Sequence, residues 1–300
     1  MQGIIKLHEF LAFTWRYMVL FKKAIDLHKH LEGQRKNNNK IAFIPTMGAL
    51  HEGHSFLIRQ AKKDSCFTAC SIFVNPTQFN DAADFKKYPV TIEKDILLLE
   101  TIGCDMLFLP SVPEIYPQGT AIKFSYDLGY LETILEGKYR PGHFQGVCAV
   151  VHRLLEIVKP DQLYIGQKDY QQCLVIKRLI GLTGLSESVN VKVVPTQREK
   201  DGLAMSSRNM RLSAEERKKA PAIYQALNEI KKQLKPGTLD PVKELAVNTL
   251  NAKGFKVDYI EMADSADLTL VNEWDGKKKL VALAAAFLGD VRLIDNVLLN

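Results

Sequence analysis

Short apolar runs alternate with segments of helical periodicity over the first two thirds of the chain. The runs predict strands at residues 41–44, 66–74, 106–109, 163–165 and 189–194. Apolar positions at helical spacing predict helices around 57–61 and 92–99, and over 147–158 and 170–182. Because strands and helices alternate, we predict right-handed βαβ units around a parallel sheet, and hence an α/β fold.

The pattern changes after about Thr196. Ser213, with Glu216 three residues later, is the signature of a capping box, and it predicts a helix that continues to Leu227. Further segments predict a helix at 241–252 and strands at 257–262, 280–287 and 291–294. Residues 280–287 fit a short helix equally well. We therefore predict that the C-terminal part is a smaller α+β unit.

Composition and charge exclude several classes of protein. Of the 300 residues, 46% are hydrophobic and 25% are charged, which is typical of a globular chain and not of a disordered, collagen-like or coiled-coil one. The net charge of +6 is spread along the chain, and this suits anionic small molecules. Because no basic stripe interleaved with aromatic residues is visible, we expect no nucleic-acid partner.

The apolar runs and the cysteines favour a cytoplasmic enzyme. No run reaches the roughly 18 apolar residues that a membrane span requires, and the N-terminus lacks the pattern of a signal peptide. The five cysteines are odd in number and include no Cys-x-x-Cys pair, which favours reduced thiols. We expect Cys66 and Cys70 in the core, and we expect no membrane partner.

Two histidines follow the first strand of this series. His51 and His54 flank Gly53 at the start of the next predicted helix, whose unpaired N–H groups attract phosphate. Packing and metal binding are the alternatives, although zinc-protease helices space their histidines four residues apart rather than three. The spacing therefore predicts a phosphate-binding site.

Further polar groups also come directly after predicted strands. Lys168 follows the strand at 163–165, and Ser206, Ser207 and Arg208 follow the last strand of the sheet. Ligands of parallel sheets bind at the carboxyl ends of the strands, so we predict that these groups meet the two histidines at one site.

The string Pro45 to His54 resembles the pantothenate synthetase family, one of the His-x-Gly-His nucleotidyltransferases. Residues 73–79, 140–147, 166–172 and 201–209 resemble the same family in the same order, and so does the closing segment 292–296. The resemblance extends from about Met18 to the C-terminus. It departs at Phe287, where the family usually has a basic residue, and this puts in doubt the contact between the C-terminal segment and the core motifs.

The resemblance implies how the chain is organised. It implies a Rossmann-like parallel-sheet domain that binds ATP and pantoate over residues 1–196, with 1–17 as a possible extension. It also implies a smaller α+β lid domain over 197–300, with a hinge near 196–201. A homodimer formed through the N-terminal domain is expected as well.

The resemblance also implies the reaction. Pantoate attacks the α-phosphate of ATP to give pantoyl adenylate and pyrophosphate, and β-alanine then displaces AMP to give pantothenate. Mg²⁺ is expected to accompany ATP. Three alternatives remain open: another His-x-Gly-His nucleotidyltransferase that stops at the nucleotide adduct, a nucleic-acid-binding protein, and a zinc hydrolase.

Roles for individual residues follow from the same resemblance. The chemistry is expected on His51, His54, Lys168, Ser206, Ser207 and Arg208. Those six residues are also expected to contact ATP, together with Pro45, Met47, Gly166, Asp169 and Met205. Pantoate is expected on Met47, Gln78 and Gln172, and Mg²⁺ on Asp95. Arg140 and His143 are expected to help order the site.

Overall fold

A six-stranded parallel sheet forms the first part of the fold. The computed structural model describes residues 17–80, 82–121 and 125–300. The strands of this sheet lie in the order β1-β4-β3-β2-β5-β6. They are β1 (Val19–Phe21), β2 (Ile41–Thr46), β3 (Phe67–Ile72), β4 (Met106–Phe108), β5 (Gln162–Gly166) and β6 (Asn190–Val194). The predicted α/β fold is therefore confirmed.

Helices cover both faces of this sheet. The helices in this part of the chain are α1 (Ala24–Lys36), α2 (Glu52–Lys63), α3 (Ala82–Lys86), α4 (Ile92–Thr101), α5 (Val112–Ile115), α6 (Leu135–Tyr139), α7 (His143–Val158) and α8 (Tyr170–Leu182). Successive residues of a strand point to opposite faces. In β2, Ile41 and Phe43 pack in the core with α1, α7 and α8, whereas Ala42 and Ile44 pack with α2 and α4.

The C-terminal part is built on an antiparallel sheet. Its three strands lie in the order β11-β10-β8. The elements here are α9 (Ala214–Lys219), α10 (Ala222–Gln233), β7 (Gly237–Thr238), α11 (Asp240–Ala252), β8 (Phe255–Asp264), β9 (Glu273–Trp274), β10 (Leu280–Leu288) and β11 (Val291–Leu298). One face of the sheet packs on α10 and α11. On the other face Val281 and Leu283 pack with Ile134 and Leu174, which ties this sheet to the parallel part.

Several element boundaries differ from the sequence prediction, and two of the differences have a clear physical cause. The capping box of Ser213 and Glu216 is confirmed, but α9 ends at Lys219 and α10 begins at Ala222. Pro221 lies between them and cannot donate a backbone hydrogen bond to one continuous helix. Strand β2 continues through Pro45 rather than ending there. Strand β5 pairs with β2 only at Ala42 and Phe43. At Pro45 this edge of β2 therefore has no partner strand among the described residues, and the missing N–H of proline is tolerated there.

The remaining expectations concern one ambiguous segment, the thiols and the membrane. The ambiguous segment 280–287 is a strand, β10. All five cysteines are buried and unpaired, with Cys66 and Cys70 in the core as predicted. Within the described ranges, no helix is both long and apolar enough to cross a membrane.

Candidate active site

The loops that follow β2, β3, β5 and β6 meet at the carboxyl edge of the parallel sheet. They line a cavity of about 240 Å³. All the site residues predicted from the sequence except Asp95 line it: Pro45, Met47, His51, His54, Gln78, Gly166, Lys168, Asp169, Gln172, Met205, Ser206, Ser207 and Arg208. A second cavity, of about 500 Å³, shares Arg140, Lys168, Asp169, Ser206 and Arg208 with the first.

The two imidazoles form a capping box at the start of helix α2, in which each ring accepts a backbone hydrogen bond. His51 Nδ1 accepts a hydrogen bond from the Gly53 N–H at 3.1 Å, and His54 Nδ1 accepts one from the His51 N–H at 3.2 Å. Because Nδ1 is the acceptor in both rings, each neutral ring carries its proton on Nε2. A side chain on Gly53 would lie 2.8 Å from the His51 ring, so only glycine fits there.

Both imidazoles are held in the neutral form. Burial, the neighbouring His54 and Lys168 lower the pKa of His51 to about 2. Burial lowers the pKa of His54 to about 4, and Lys168 adds to this effect while Asp169 opposes it. At neutral pH the pair therefore offers two N–H donors without charge, and Lys168 supplies the positive charge beside them.

These depressed pKa values predict acid-sensitive stability. The unfolded chain protonates its histidines near pH 6.5, so it binds more protons than the folded chain below that pH, and stability is lost on acidification. For His54 the loss should extend from pH 6.5 to about 4. We expect His54→Gln to make the fall in unfolding free energy shallower, by up to about 1.4 kcal/mol per pH unit. Urea unfolding across this interval measures both slopes, and equal slopes would contradict the prediction.

Lys168 lies in the loop between β5 and α8. Its Nζ lies 3.8 Å from Asp169 Oδ1, and its side chain lines both cavities. Asp169 occupies the N-cap position of α8, but its carboxylate makes no capping hydrogen bond. Helix capping therefore does not explain the position of Asp169, which lines both cavities.

The Ser-Ser-Arg segment is docked on the loop that precedes His51. Ser207 is buried, and its Oγ donates a hydrogen bond to the Ala49 carbonyl at 3.1 Å. Ser206 Oγ accepts one from the Arg208 N–H at 3.3 Å, at the start of a 3₁₀ turn over Ser207–Arg211. The Arg208 guanidinium lies 2.7 Å from Asp84. Sequence analysis missed Asp84, because no motif or spacing marks it.

Met47 and Gln78 lie side by side in the same cavity. Gln78 Nε2 lies 3.0 Å from the Met47 sulfur, and Gln78 Oε1 accepts a hydrogen bond from Asn75 at 3.1 Å. Asn75 is buried and also donates to the Gly146 carbonyl. Sequence analysis assigned no role to Asn75, although it belongs to the segment 73–79 that carries the family resemblance. The structure indicates that Asn75 holds the Gln78 amide in place.

His143 holds the same segment from the other side. Arg140 donates to His143 Nε2 at 3.0 Å, so the ring proton is on Nδ1, which donates to the Gln78 carbonyl at 2.8 Å. Burial, and then the charge of Arg140, lower the pKa of His143 to about 3, which keeps the ring neutral. This geometry fits the ordering role expected for Arg140 and His143.

Asp95 does not fit the Mg²⁺ contact expected from the sequence. It is only 1% exposed and lies outside the residues that line the cavity. Its carboxylate accepts hydrogen bonds from the Ala49 and Leu50 N–H groups, at 2.9 and 2.8 Å, and from the Thr91 hydroxyl at 3.0 Å. With these three donors, the Asp95 carboxylate does not fit the role of a metal ligand but holds the backbone of the loop before His51. In this loop Gly48 and Ala49 have positive φ. In the described part of the chain, no group of three or more His, Cys, Asp or Glu side chains could hold a metal ion.

This fold and this cluster of donors define a nucleotide-binding protein of the α/β class. The family model for pantoate-beta-alanine ligase matches residues 19–298. The chain belongs to this family.

Relatives match over nearly the whole chain. The chain is 43% identical to pantothenate synthetase of Cytophaga hutchinsonii, over 94% of this chain and 99% of that protein. It is also 43% identical to pantoate–beta-alanine ligase of Schizosaccharomyces pombe, over 93% and 98%.

Solved structures agree in fold. The crystal structure of pantothenate synthetase from Thermus thermophilus matches with a TM-score of 0.85 and 38% identity, and covers 94% of this chain and 99% of that one. The ligase from Francisella tularensis, complexed with beta-gamma ATP and beta-alanine, matches with a TM-score of 0.80 and 38% identity, over 94% and 98%.

Proposed function

We propose that this protein is an ATP-dependent ligase that joins pantoate to β-alanine, with pantothenate, AMP and pyrophosphate as products. One observation carries the proposal. In a chain of this family, neutral imidazole donors and a lysine line the same cavity as the neutral amides of Gln78 and Gln172. The first group suits phosphates, and the amides suit a hydroxy acid whose carboxylate must stay nucleophilic.

In the first step, a pantoate carboxylate oxygen attacks the α-phosphorus of ATP. The bond between that phosphorus and the oxygen bridging to the β-phosphate breaks, and pyrophosphate leaves. Since an anion attacks a polyanion, catalysis rests on donors aimed at the phosphates. The Nε2–H groups of His51 and His54, the Lys168 ammonium, the Ser206 hydroxyl and the Arg208 guanidinium supply them. Ser207, which was expected in this set, lines the cavity but donates its hydroxyl hydrogen to the Ala49 carbonyl.

In the second step, the amine of β-alanine attacks the acyl carbon of pantoyl adenylate. The bond from this carbon to the phosphate oxygen breaks, AMP leaves, and the amine loses a proton. Water must be kept from the acyl adenylate meanwhile. We propose that residues 197–300 act as a lid over residues 1–196, and the hydrogen bond from Ser207 to Ala49 supports this role.

The remaining contacts follow the family resemblance. Pro45, Met47, Gly166 and Met205 line the cavity beside the phosphate donors and are proposed to contact ATP, with Asp169 near the ribose. We propose that Mg²⁺ enters as part of the ATP substrate, without Asp95 as a ligand. A homodimer and a cytoplasmic location are also proposed, and sedimentation of the purified protein tests the first of these.

One assay separates the proposed ligase from its alternatives. The protein is given ATP, Mg²⁺ and pantoate, with and without β-alanine, and pyrophosphate and AMP are followed. We expect pyrophosphate from pantoate alone, about one equivalent per site, and sustained AMP release only with β-alanine. Sustained turnover without β-alanine would favour a transferase that stops at the adduct, and pyrophosphate release without pantoate would refute the ligase.

Gln78 provides a prediction for the pantoate side of the site. Gln78→Ala removes the amide beside Met47 and should raise the KM for pantoate about 10-fold or more, because a buried hydrogen-bonded contact is lost. The KM for ATP should change little. Steady-state kinetics with each substrate varied in turn measures both constants. A lower kcat with an unchanged KM for pantoate would contradict the role.

A further inference from the structure

The C-terminal strand β11 contacts the loop that carries Lys168. Asn296 is 2% exposed, and its Nδ2 donates hydrogen bonds to the Gln167 carbonyl at 3.0 Å and to the Lys168 carbonyl at 2.9 Å. Its Oδ1 lies 3.3 Å from the Gln167 side-chain amide, which donates to it. One buried amide thus joins two successive peptide groups that are 128 or more residues away in the sequence.

Holding these two carbonyls fixes the direction in which the Lys168 side chain leaves the backbone. The Gln167 carbonyl belongs to the planar peptide group before the Lys168 Cα, and the Lys168 carbonyl belongs to the one after it. Hydrogen bonds to both hold the two planes, and therefore φ and ψ of Lys168. The Cβ direction of Lys168 follows from these angles.

The Asn296 amide is itself held rigidly. The Arg198 guanidinium binds both oxygens of buried Asp295, at 2.6 and 2.9 Å, and stacks on the Tyr224 ring at 3.7 Å. Arg198 also donates to the Asn296 carbonyl at 3.2 Å, and the Asn296 N–H donates to Asp295 Oδ1 at 2.7 Å. The backbone at Asn296 is therefore held in place by Arg198, which lies just after β6.

We propose that Asn296 is a positioning residue for Lys168, a role that rests on the proposed function. Asparagine suits the position because its NH₂ group supplies two donors to two carbonyls. A catalytic cation must be held near its productive geometry before the transition state forms, and groups around it supply that restraint. Through Asn296, the C-terminal sheet helps to assemble the phosphate site.

A double-mutant cycle tests this role. The rate of pantoyl adenylate formation is measured in single turnovers for wild type, Asn296→Ala, Lys168→Ala and the double variant. We expect Asn296→Ala to lower the rate about 10- to 30-fold when Lys168 is present. In the Lys168→Ala background its effect should shrink to less than about threefold, since the two residues act as one unit.

Asn300 provides the matched control. Its side-chain amide also bonds two backbone groups: it donates to the Lys278 carbonyl and accepts from the N–H of Leu280, the first residue of β10. Asn300→Ala should leave the rate within about twofold of wild type. Should Asn296→Ala fail to fold, Asn296→Ser, which keeps one donor, replaces it in the cycle.

Two results would overturn the role of Asn296. One is an equal loss from Asn296→Ala in both backgrounds, which marks a structural effect independent of Lys168. The other is a rate for Asn296→Ala close to that of wild type. If instead wild type releases no pantoate-dependent pyrophosphate, the proposed function itself fails, and that result is distinct because it appears before any variant is compared.

Discussion

Lys168→Ala should lower the rate of pantoyl adenylate formation by about 100-fold or more. Lys168 lines both cavities and stands close enough to the paired imidazoles to lower the pKa of each. In the proposed reaction it faces phosphates whose charge is redistributed as pyrophosphate leaves, in a site where water screens little. Pyrophosphate release in a single turnover with ATP and pantoate measures the effect.

Lys177 supplies the control for this variant. It is exposed on α8, in the helix that follows the Lys168 loop. Lys177→Ala removes the same charge and should leave the rate within about twofold of wild type. If Lys168→Ala were as active as Lys177→Ala, Lys168 would have no part in catalysis.

His51→Ala should lower the same rate by about 100-fold and should also destabilise the fold by about 1 kcal/mol. The rate falls because the Nε2–H donor is lost. Stability falls because His51 caps α2 through its hydrogen bond with the Gly53 N–H. Single-turnover kinetics and urea unfolding measure the two effects separately.

His51→Asn separates the two roles of this residue. Asparagine is a good N-cap and can accept from the Gly53 N–H, but its short side chain cannot place a donor where Nε2 lies. We expect wild-type stability within about 0.5 kcal/mol together with the full loss of rate. If His51→Asn recovered most of the activity, His51 would act only as a cap.

The candidate site could be predicted from the sequence to a large extent. His51, Lys168 and Arg208 each follow a predicted strand, and parallel strands bring their carboxyl ends to one edge. Their convergence on one cavity therefore follows from local patterns and a general rule of topology. The family resemblance added Gln78 and Gln172 to the same cavity.

Groups that act through distant partners could not be found in this way. Asp95 looks like an exposed helical carboxylate in the sequence, yet it is buried against a loop 45 and 46 residues earlier in the chain. Asp84 pairs with Arg208, 124 residues later in the chain. Asn296 meets Lys168 only when the C-terminal sheet packs against the loop after β5. No spacing or periodicity encodes such contacts.

The family resemblance left the docking of the C-terminal part uncertain at Phe287. In the structure Arg292 contacts the first part of the fold, with both terminal nitrogens of its guanidinium 2.8 Å from the buried Glu136 carboxylate. Asn296 makes a second contact, to the Lys168 loop. Both residues lie in the segment 292–296, whose role the sequence left open.

For this chain, local pattern was enough to determine the alternation of strands and helices, the parallel sheet and the residues at its carboxyl edge. Such features depend on periodicity and on turn chemistry, which act over a few residues. The tertiary structure alone decided which carboxylates hold the backbone, which tautomers the imidazoles adopt and what orients Lys168. Those properties depend on burial and on hydrogen bonds between segments far apart in the sequence, and only packing brings such segments together.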